Sequence, residues 1–278
     1  MTILVTGARG HVGALVLSEL LAAGEPVRAA SRAPQPGQFP DGVEVVQLDL
    51  DDAAVLPAAL AGVQKVFLYA HPRTATQFAR AAREAGVEHV VLLSSSSVLR
   101  PDAKSNPIAL AHSVVEEALD DAGLSRTFVR PGYFATNSLR WQSIRSARVF
   151  RTAFPEATTA PVHERDIAAV AAKALLDDAP KSEAPAVLGP GPLTVRQQVA
   201  DIAEAIGEPV RFEVVDAGTY RADLRTQLPA PVVDRLIEGQ GTVPQLPADL
   251  GVDAVPELIG RPALTFREWS QDHANDFR

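Results

Sequence analysis

Three glycines carry the first chemistry in this chain. Gly7, Gly10 and Gly13 stand at G-x-x-G-x-x-G spacing within Thr6-Gly7-Ala8-Arg9-Gly10-His11-Val12-Gly13. An apolar run, Ile3-Leu4-Val5, leads in, and a helix-periodic run, Val12 to Leu21, leads out. In a strand–turn–helix each glycine has a task. Gly7 permits the tight turn, Gly10 leaves room for a pyrophosphate at the backbone, and Gly13 lets the helix pack close to the strand. The N–H groups of the helix start, at His11 and Val12, then face the phosphates. The chemistry implied is dinucleotide binding; a glycine-rich turn without a ligand is the alternative that spacing leaves open.

Further reactive residue types fall where strands end. Ser31-Arg32 follows the strand Val27–Ala30, and no acid occurs between Glu25 and Asp41. A carboxylate at that point would hold a ribose 2′-hydroxyl. Arg32, with Arg9 in the glycine loop, instead suits a 2′-phosphate, which predicts NADP(H) as the cofactor; a solvated loop arginine is the alternative. Asp49-Leu50 closes the strand Val43–Leu48 at the corner that faces adenine. Asp49 either accepts from the adenine amino group or caps the helix from Ala53. The strand Val66–Ala70 runs into His71, and His89–Leu93 runs into Ser94-Ser95-Ser96-Ser97. Ligands of open α/β sheets bind at such carboxyl ends. Ala70, His71, Ser94 and Pro131 are therefore candidate cofactor contacts, and His71 and Ser96 candidate substrate contacts. Tyr133, Phe134, Asn137 and Trp141 follow the strand Arg126–Val129; the aromatic residues among them either fill core or wall an apolar substrate pocket.

The elements that must position these residues alternate as βαβαβαβαβ. That pattern implies an α/β fold, a doubly wound parallel Rossmann sheet with right-handed crossovers. A smaller, mostly helical C-terminal part is expected to cover the substrate. The expected division is residues 1–155 for nucleotide binding and 156–278 for the second part, interleaved with the sheet edge. Asp166 reads as an N-cap for a helix with Ile167, Val170, Ala171 and Leu175 on one face. Ala186-Val187-Leu188 reads as a short strand returning to the sheet. Thr194 caps a helix to Ile206, and Val210–Val215 is a strand. Residues 217–238 read as helical with a break at Pro229 and Pro231, 239–256 as a cover loop, and Thr265–Asp276 as a final helix.

Composition sets bounds on partners. The chain has 278 residues, a formal net charge of −8 and no basic block, which argues against nucleic acid. It contains no cysteine, which excludes disulfides, thiolate catalysis and cysteine–metal sites. No apolar run reaches membrane-spanning length. Met1 leads directly into a core strand, so no signal peptide and a cytoplasmic location are expected. A monomer or homodimer is expected.

In family order, the chain then shows Ser31-Arg32, Leu93-Ser94-Ser95, His112-Ser113-Val114-Val115-Glu116-Glu117, Phe128-Val129-Arg130-Pro131-Gly132 and Glu164-Arg165-Asp166-Ile167-Ala168. With the glycine loop, these resemble the NmrA-like group of atypical short-chain dehydrogenase/reductases over nearly the whole chain. That group includes nicotinamide-nucleotide sensors, bacterial quinone reductases and plant phenylpropanoid reductases. Related dehydrogenases use Tyr-x-x-x-Lys at the start of the helix after the fifth strand. Placing His112 at the lysine position puts Ile108 at the tyrosine position, and no tyrosine occurs between Tyr69 and Tyr133. The resemblance thus implies an NADPH-dependent reductase without the usual proton donor, acting on a quinone, enone or other aromatic compound. His112 and Ser95 are then the catalytic candidates, with Ser95 and Ser96 placed to orient the histidine. A non-catalytic NADP(H) sensor and a cofactor-assisted biosynthetic protein are the other readings.

Overall fold

The computed structural model describes residues 1–226, 228–230, 233–234, 237 and 254–278. Its first half alternates strand and helix as the apolar pattern requires. The elements are β1 (Thr2–Val5), α1 (His11–Ala22), β2 (Val27–Ser31), β3 (Glu44–Gln47), α2 (Leu56–Leu60), β4 (Val63–Tyr69), α3 (Ala75–Glu84), β5 (His89–Leu93), α4 (Pro107–Asp121) and β6 (Arg126–Pro131). With the strand Ala186–Val187 they form a seven-stranded sheet, ordered Ala186–Val187, β6, β5, β4, β1, β2, β3. Every neighbouring pair is parallel. The strand order reverses between β1 and β4, the point at which doubly wound sheets open a ligand crevice.

Burial on both faces explains the continuous apolar runs. Ile3, Leu4 and Val5 are fully buried, as are Val90, Val91 and Leu92. One face packs Leu4, Leu92 and Phe128 with Leu56, Leu60, Phe78 and Leu119 of α2, α3 and α4. The other is covered by α1 and the helix Glu164–Leu176, which contact each other extensively.

Two compact units result. The first comprises Met1–Gly132, Glu164–Val187 and Ala254–Arg261; the second comprises Tyr133–His163, Leu188–Asp253 and Pro262–Arg278. The expected cut at residue 155 falls inside the second unit, because the chain returns twice to complete the first. The second unit pairs the strands Val149–Thr152 and Arg211–Val214 in parallel. Its core gathers Ile144, Phe150, Ile202, Phe266, Trp269 and Phe277.

Several local expectations change. Asp166 does not cap its helix, which begins two residues earlier at Glu164; the buried carboxylate instead pairs with Arg261 at 2.6 Å. Thr194 does cap the helix Val195–Ile206, in a capping box with Gln197. The helix expected from residue 217 is Ala217–Arg225. The last helix ends at Asp272, and a separate 3₁₀ turn spans Ala274–Asp276. The expected cover loop lies outside the described residues except at its end, where Ala254–Ile259 is helical. No helix among the described residues is long and apolar enough to cross a membrane.

Candidate functional site

The glycine loop is built by its own backbone. Gly7 adopts φ +60°, and its carbonyl accepts Gly10 N–H at 2.8 Å. A Cβ on Gly13 would lie 2.2 Å from that carbonyl oxygen, so only glycine lets the helix start so close to the turn. Thr6, which the sequence did not single out, ties the loop to β4. Its hydroxyl donates to Phe67 O at 3.0 Å and accepts Tyr69 N–H at 2.7 Å. Gly10 is the N-cap of α1 and brings no side chain to satisfy the first-turn N–H groups. Those donors at His11, Val12 and Gly13 are left for an anion.

The loop opens into a cavity of about 870 Å³. Its walls come from four strand ends: Thr6 to Gly10 after β1, Ala30 to Ala33 after β2, Leu48 to Asp51 after β3, and Tyr69 with His71 after β4. Arg9 and Arg32 both line it, and neither guanidinium has an ion-pair or hydrogen-bond partner among the described residues. Two uncommitted cations beside a glycine cradle fit the pyrophosphate and 2′-phosphate of NADP(H).

Asp49 lines the same cavity, but its carboxylate is turned to Asp51 N–H at 3.0 Å. The cap of the following turn is Asp52, which accepts Ala54 N–H at 3.0 Å. His71 hydrogen-bonds Asp51 at 2.7 Å, and Arg73 pairs with the second oxygen of that carboxylate at 2.6 Å. Thr74 also hydrogen-bonds Leu50 O. His71 is thereby held among the cavity walls that follow β3. Tyr69, more than half exposed, and Asp51 are wall residues that sequence reasoning missed. A strand-terminal tyrosine and one acid in an acidic run carry no distinguishing pattern.

A second cluster joins the carboxyl ends of β5 and β6 to α4. Ser94 donates to Glu116 Oε1 at 2.5 Å. Arg130 donates to the same carboxylate through Nε at 2.9 Å and Nη2 at 2.6 Å. The Ser94 hydroxyl, expected to reach the cofactor, is thus committed inside the protein. Glu116 and Arg130 stood within the family-like motifs, but nothing in their spacing disclosed that they meet.

His112 lies one turn before Glu116 on α4. Its Nδ1 is buried without a hydrogen-bond partner among the described residues. Burial pushes its pKa below the ordinary value, while Glu116 pulls the other way. Ser95 does not orient it: the Ser95 oxygen accepts the Ser97 N–H at 3.2 Å and hydroxyl at 2.9 Å. Ser96 is buried in the same turn. Ile108, at the position the tyrosine would take, is 60% exposed.

The aromatic candidates belong to the second unit. Tyr133–Phe134 form a short half-buried strand paired with Pro161–Val162, and burial pushes the Tyr133 phenol up. Asn137 is half-buried in the following 3₁₀ turn. Trp141 is half-buried and packs on Phe150 with ring centroids 4.6 Å apart, against that unit's core.

This arrangement agrees with the comparisons. The model of a family described as NAD(P)H-binding matches residues 7–178. The chain belongs to that family. It is 41% identical over 99% of both chains to the (4-alkanoyl-5-oxo-2,5-dihydrofuran-3-yl)methyl phosphate reductase of Streptomyces griseus. It is 31% identical over 99% of both chains to the NAD(P)H azoreductase of Xenophilus azovorans. The NADPH-dependent quinone oxidoreductase of Escherichia coli, solved with NADPH, superposes with a TM-score of 0.80 at 26% identity, covering 98% of this chain and 99% of that one. All three relatives are named as reductases or oxidoreductases, two of them with NAD(P)H or NADPH, and the NmrA-like resemblance and the Rossmann fold hold.

Proposed function

We propose that this protein is an NADPH-dependent reductase of conjugated double bonds activated by two carbonyl groups, of the acylbutenolide class. The observation that carries the reading is the composition of the start of α4. Ile108 replaces a phenolic acid there, and the nearest ionisable ring, His112, is held below its ordinary pKa by burial. At neutral pH such a ring is uncharged and is a weak acid. The chain is therefore suited to substrates whose reduction needs little proton donation.

An acylbutenolide meets that requirement, and the Streptomyces griseus relative bears the name of a reductase of such a compound. When bound, NADPH supplies the hydride, which forms a C–H bond at the alkene carbon remote from the two carbonyls. The alkene electrons move onto the carbon between the ketone and the lactone. Both oxygens share the charge, and water returns the proton to that carbon. The protein binds, orients and excludes competing water. Arg9, Arg32 and the first-turn N–H groups of α1 hold the phosphates, and Pro131 and the end of β6 border the reactive half. Tyr133, Phe134 and Asn137 are proposed as substrate contacts.

The deciding experiment follows NADPH absorbance with an acylbutenolide phosphate, its dephosphorylated form, menadione and an azo dye. Faster turnover of the acylbutenolides, measured as kcat/KM, is expected. Turnover of the quinone or the dye alone would overturn the reading.

A further inference from the structure

The carboxyl ends of β5 and β6 end on one buried carboxylate. β5 and β6 run in register to the pair Leu93 and Val129; Ser94 follows directly on β5 and Arg130 is the next residue of β6. Ser94 is 2% exposed and Glu116 is 7% exposed. The Arg130 backbone is itself fixed, since its N–H donates to Pro185 O at 2.9 Å and its residue pairs with Ala186 of the edge strand. Its guanidinium turns across to α4 and grips both Glu116 oxygens. A buried ion pair of this kind contributes little to stability compared with apolar packing of the same volume, because both charges lose their hydration. What it supplies is a fixed geometry.

Its location decides what that geometry serves. In a doubly wound sheet the two mononucleotide halves lie on opposite sides of the strand-order reversal. Arg9 and Arg32, which line the cavity, follow β1 and β2 on one side of that reversal. β5 and β6 are on the other, where the nicotinamide half belongs. We propose that Glu116 is a positioning residue for the nicotinamide half of the cofactor, clamping Ser94 and Arg130 so that the ends of β5 and β6 and the His112 turn of α4 form one rigid floor. This rests on the chain's NADPH binding and not on the identity of the substrate.

The same geometry accounts for His112. Its Nδ1 is buried one turn from the clamp with no hydrogen-bond partner among the described residues, so the ring is positioned by α4, which the clamp holds. Glu116→Gln keeps the size of the side chain but removes the charge and sets an NH₂ group against the Arg130 fork. Ser94→Ala removes one bond and leaves the ion pair whole.

The test needs no substrate. NADPH is titrated into the intact protein and both variants, with the dissociation constant from calorimetry and ring mobility from the fluorescence lifetime of the bound nicotinamide. The expected result is a dissociation constant within about twofold of the unmodified protein, because the adenosine end shares no partner with the clamp. The nicotinamide lifetime is expected to shorten toward that of free NADPH in Glu116→Gln, and part of the way in Ser94→Ala. Unchanged lifetimes in a folded Glu116→Gln protein would overturn the proposal. If that variant does not fold, an unchanged lifetime in Ser94→Ala overturns it, and a shortened one supports it. Turnover assays then add a separate reading: kcat falls by about 10²-fold in Glu116→Gln with KM for NADPH retained, as misplacement near the reacting atoms predicts. Absence of turnover in the unmodified protein would count against the substrate assignment alone.

Discussion

Arg32 offers the plainest consequence at the scale of single residues. Its guanidinium lines the cavity without a partner among the described residues, so its charge is available to a 2′-phosphate. Arg32→Ala is expected to weaken NADPH binding by about 1.5–3 kcal/mol, the worth of a charge-assisted hydrogen bond. NADH binding should stay unchanged, and comparing the two dissociation constants checks this. His112 poses a different question. For a singly activated enone, His112→Ala should lower kcat/KM by about 10²-fold, the low end of general-acid effects. For an acylbutenolide the fall should be far smaller, since the product anion is already stabilised. Equal losses on both substrates would remove the distinction. His89, at the opposite end of β5, is fully buried between Ser125 and Thr127, and burial with the Lys65 charge lowers its pKa to about 4 from 6.5. The unfolded chain therefore takes up this proton first as pH falls. Stability is full above about pH 6.5 and is lost between there and pH 4, by about 3 kcal/mol. Denaturant titrations across that window should show the loss, and His89→Gln should flatten it.

At the scale of elements, the glycine turn separates packing from binding. A Cβ at Gly13 meets the Gly7 carbonyl oxygen at 2.2 Å, so Gly13→Ala must distort the turn and lower the melting temperature. A Cβ at Gly10 meets the same oxygen at 3.3 Å and otherwise faces the open side of the loop. Gly10→Val is expected to leave a folded protein that no longer binds NADPH. Circular dichroism melts and calorimetric titration of the two variants distinguish these outcomes; binding by folded Gly10→Val would refute the cradle. The α4 element shows a parallel division. Its Asn106 cap accepts Ile108 N–H at 3.0 Å and starts the helix, while Glu116 and His112 further along it are the residues proposed to serve the site.

For the whole molecule, the discontinuous first unit has a testable consequence. The helix Glu164–Leu176 buries Ile167, Val170 and Leu175 against α1 and the sheet. Each such side chain is worth about 1.5–3 kcal/mol, and together they rival the ~5–15 kcal/mol by which domains are stable. A fragment ending at residue 155 lacks this helix and the edge strand Ala186–Val187. It should show no cooperative thermal transition, whereas the full chain should; a sharp transition in the fragment would show that residues 1–155 suffice.

The sequence by itself determined the alternation of strands and helices, the glycine turn and the absent acid after β2. These are local: apolar period, backbone freedom at Gly7 and side-chain charge each act over a few residues. For the same reason the Thr194 cap was legible, with Gln197 three residues on. Tertiary structure alone decided where side chains from distant strands meet. Ser94, Glu116 and Arg130 lie on three elements, and no spacing shows that one carboxylate takes both partners. It also decided that Asp166 pairs with Arg261, 95 residues away in sequence by subtraction of their numbers, instead of capping its helix. His71 and His112 are both candidate proton donors by residue type alone. Only the folded chain separates them, giving His71 to the Asp51 wall of the cavity and leaving His112 half-buried, with its Nδ1 covered, one turn from Glu116. Helix starts and turns follow from neighbours along the chain, whereas charges are placed by the sheet order that brings remote strands side by side.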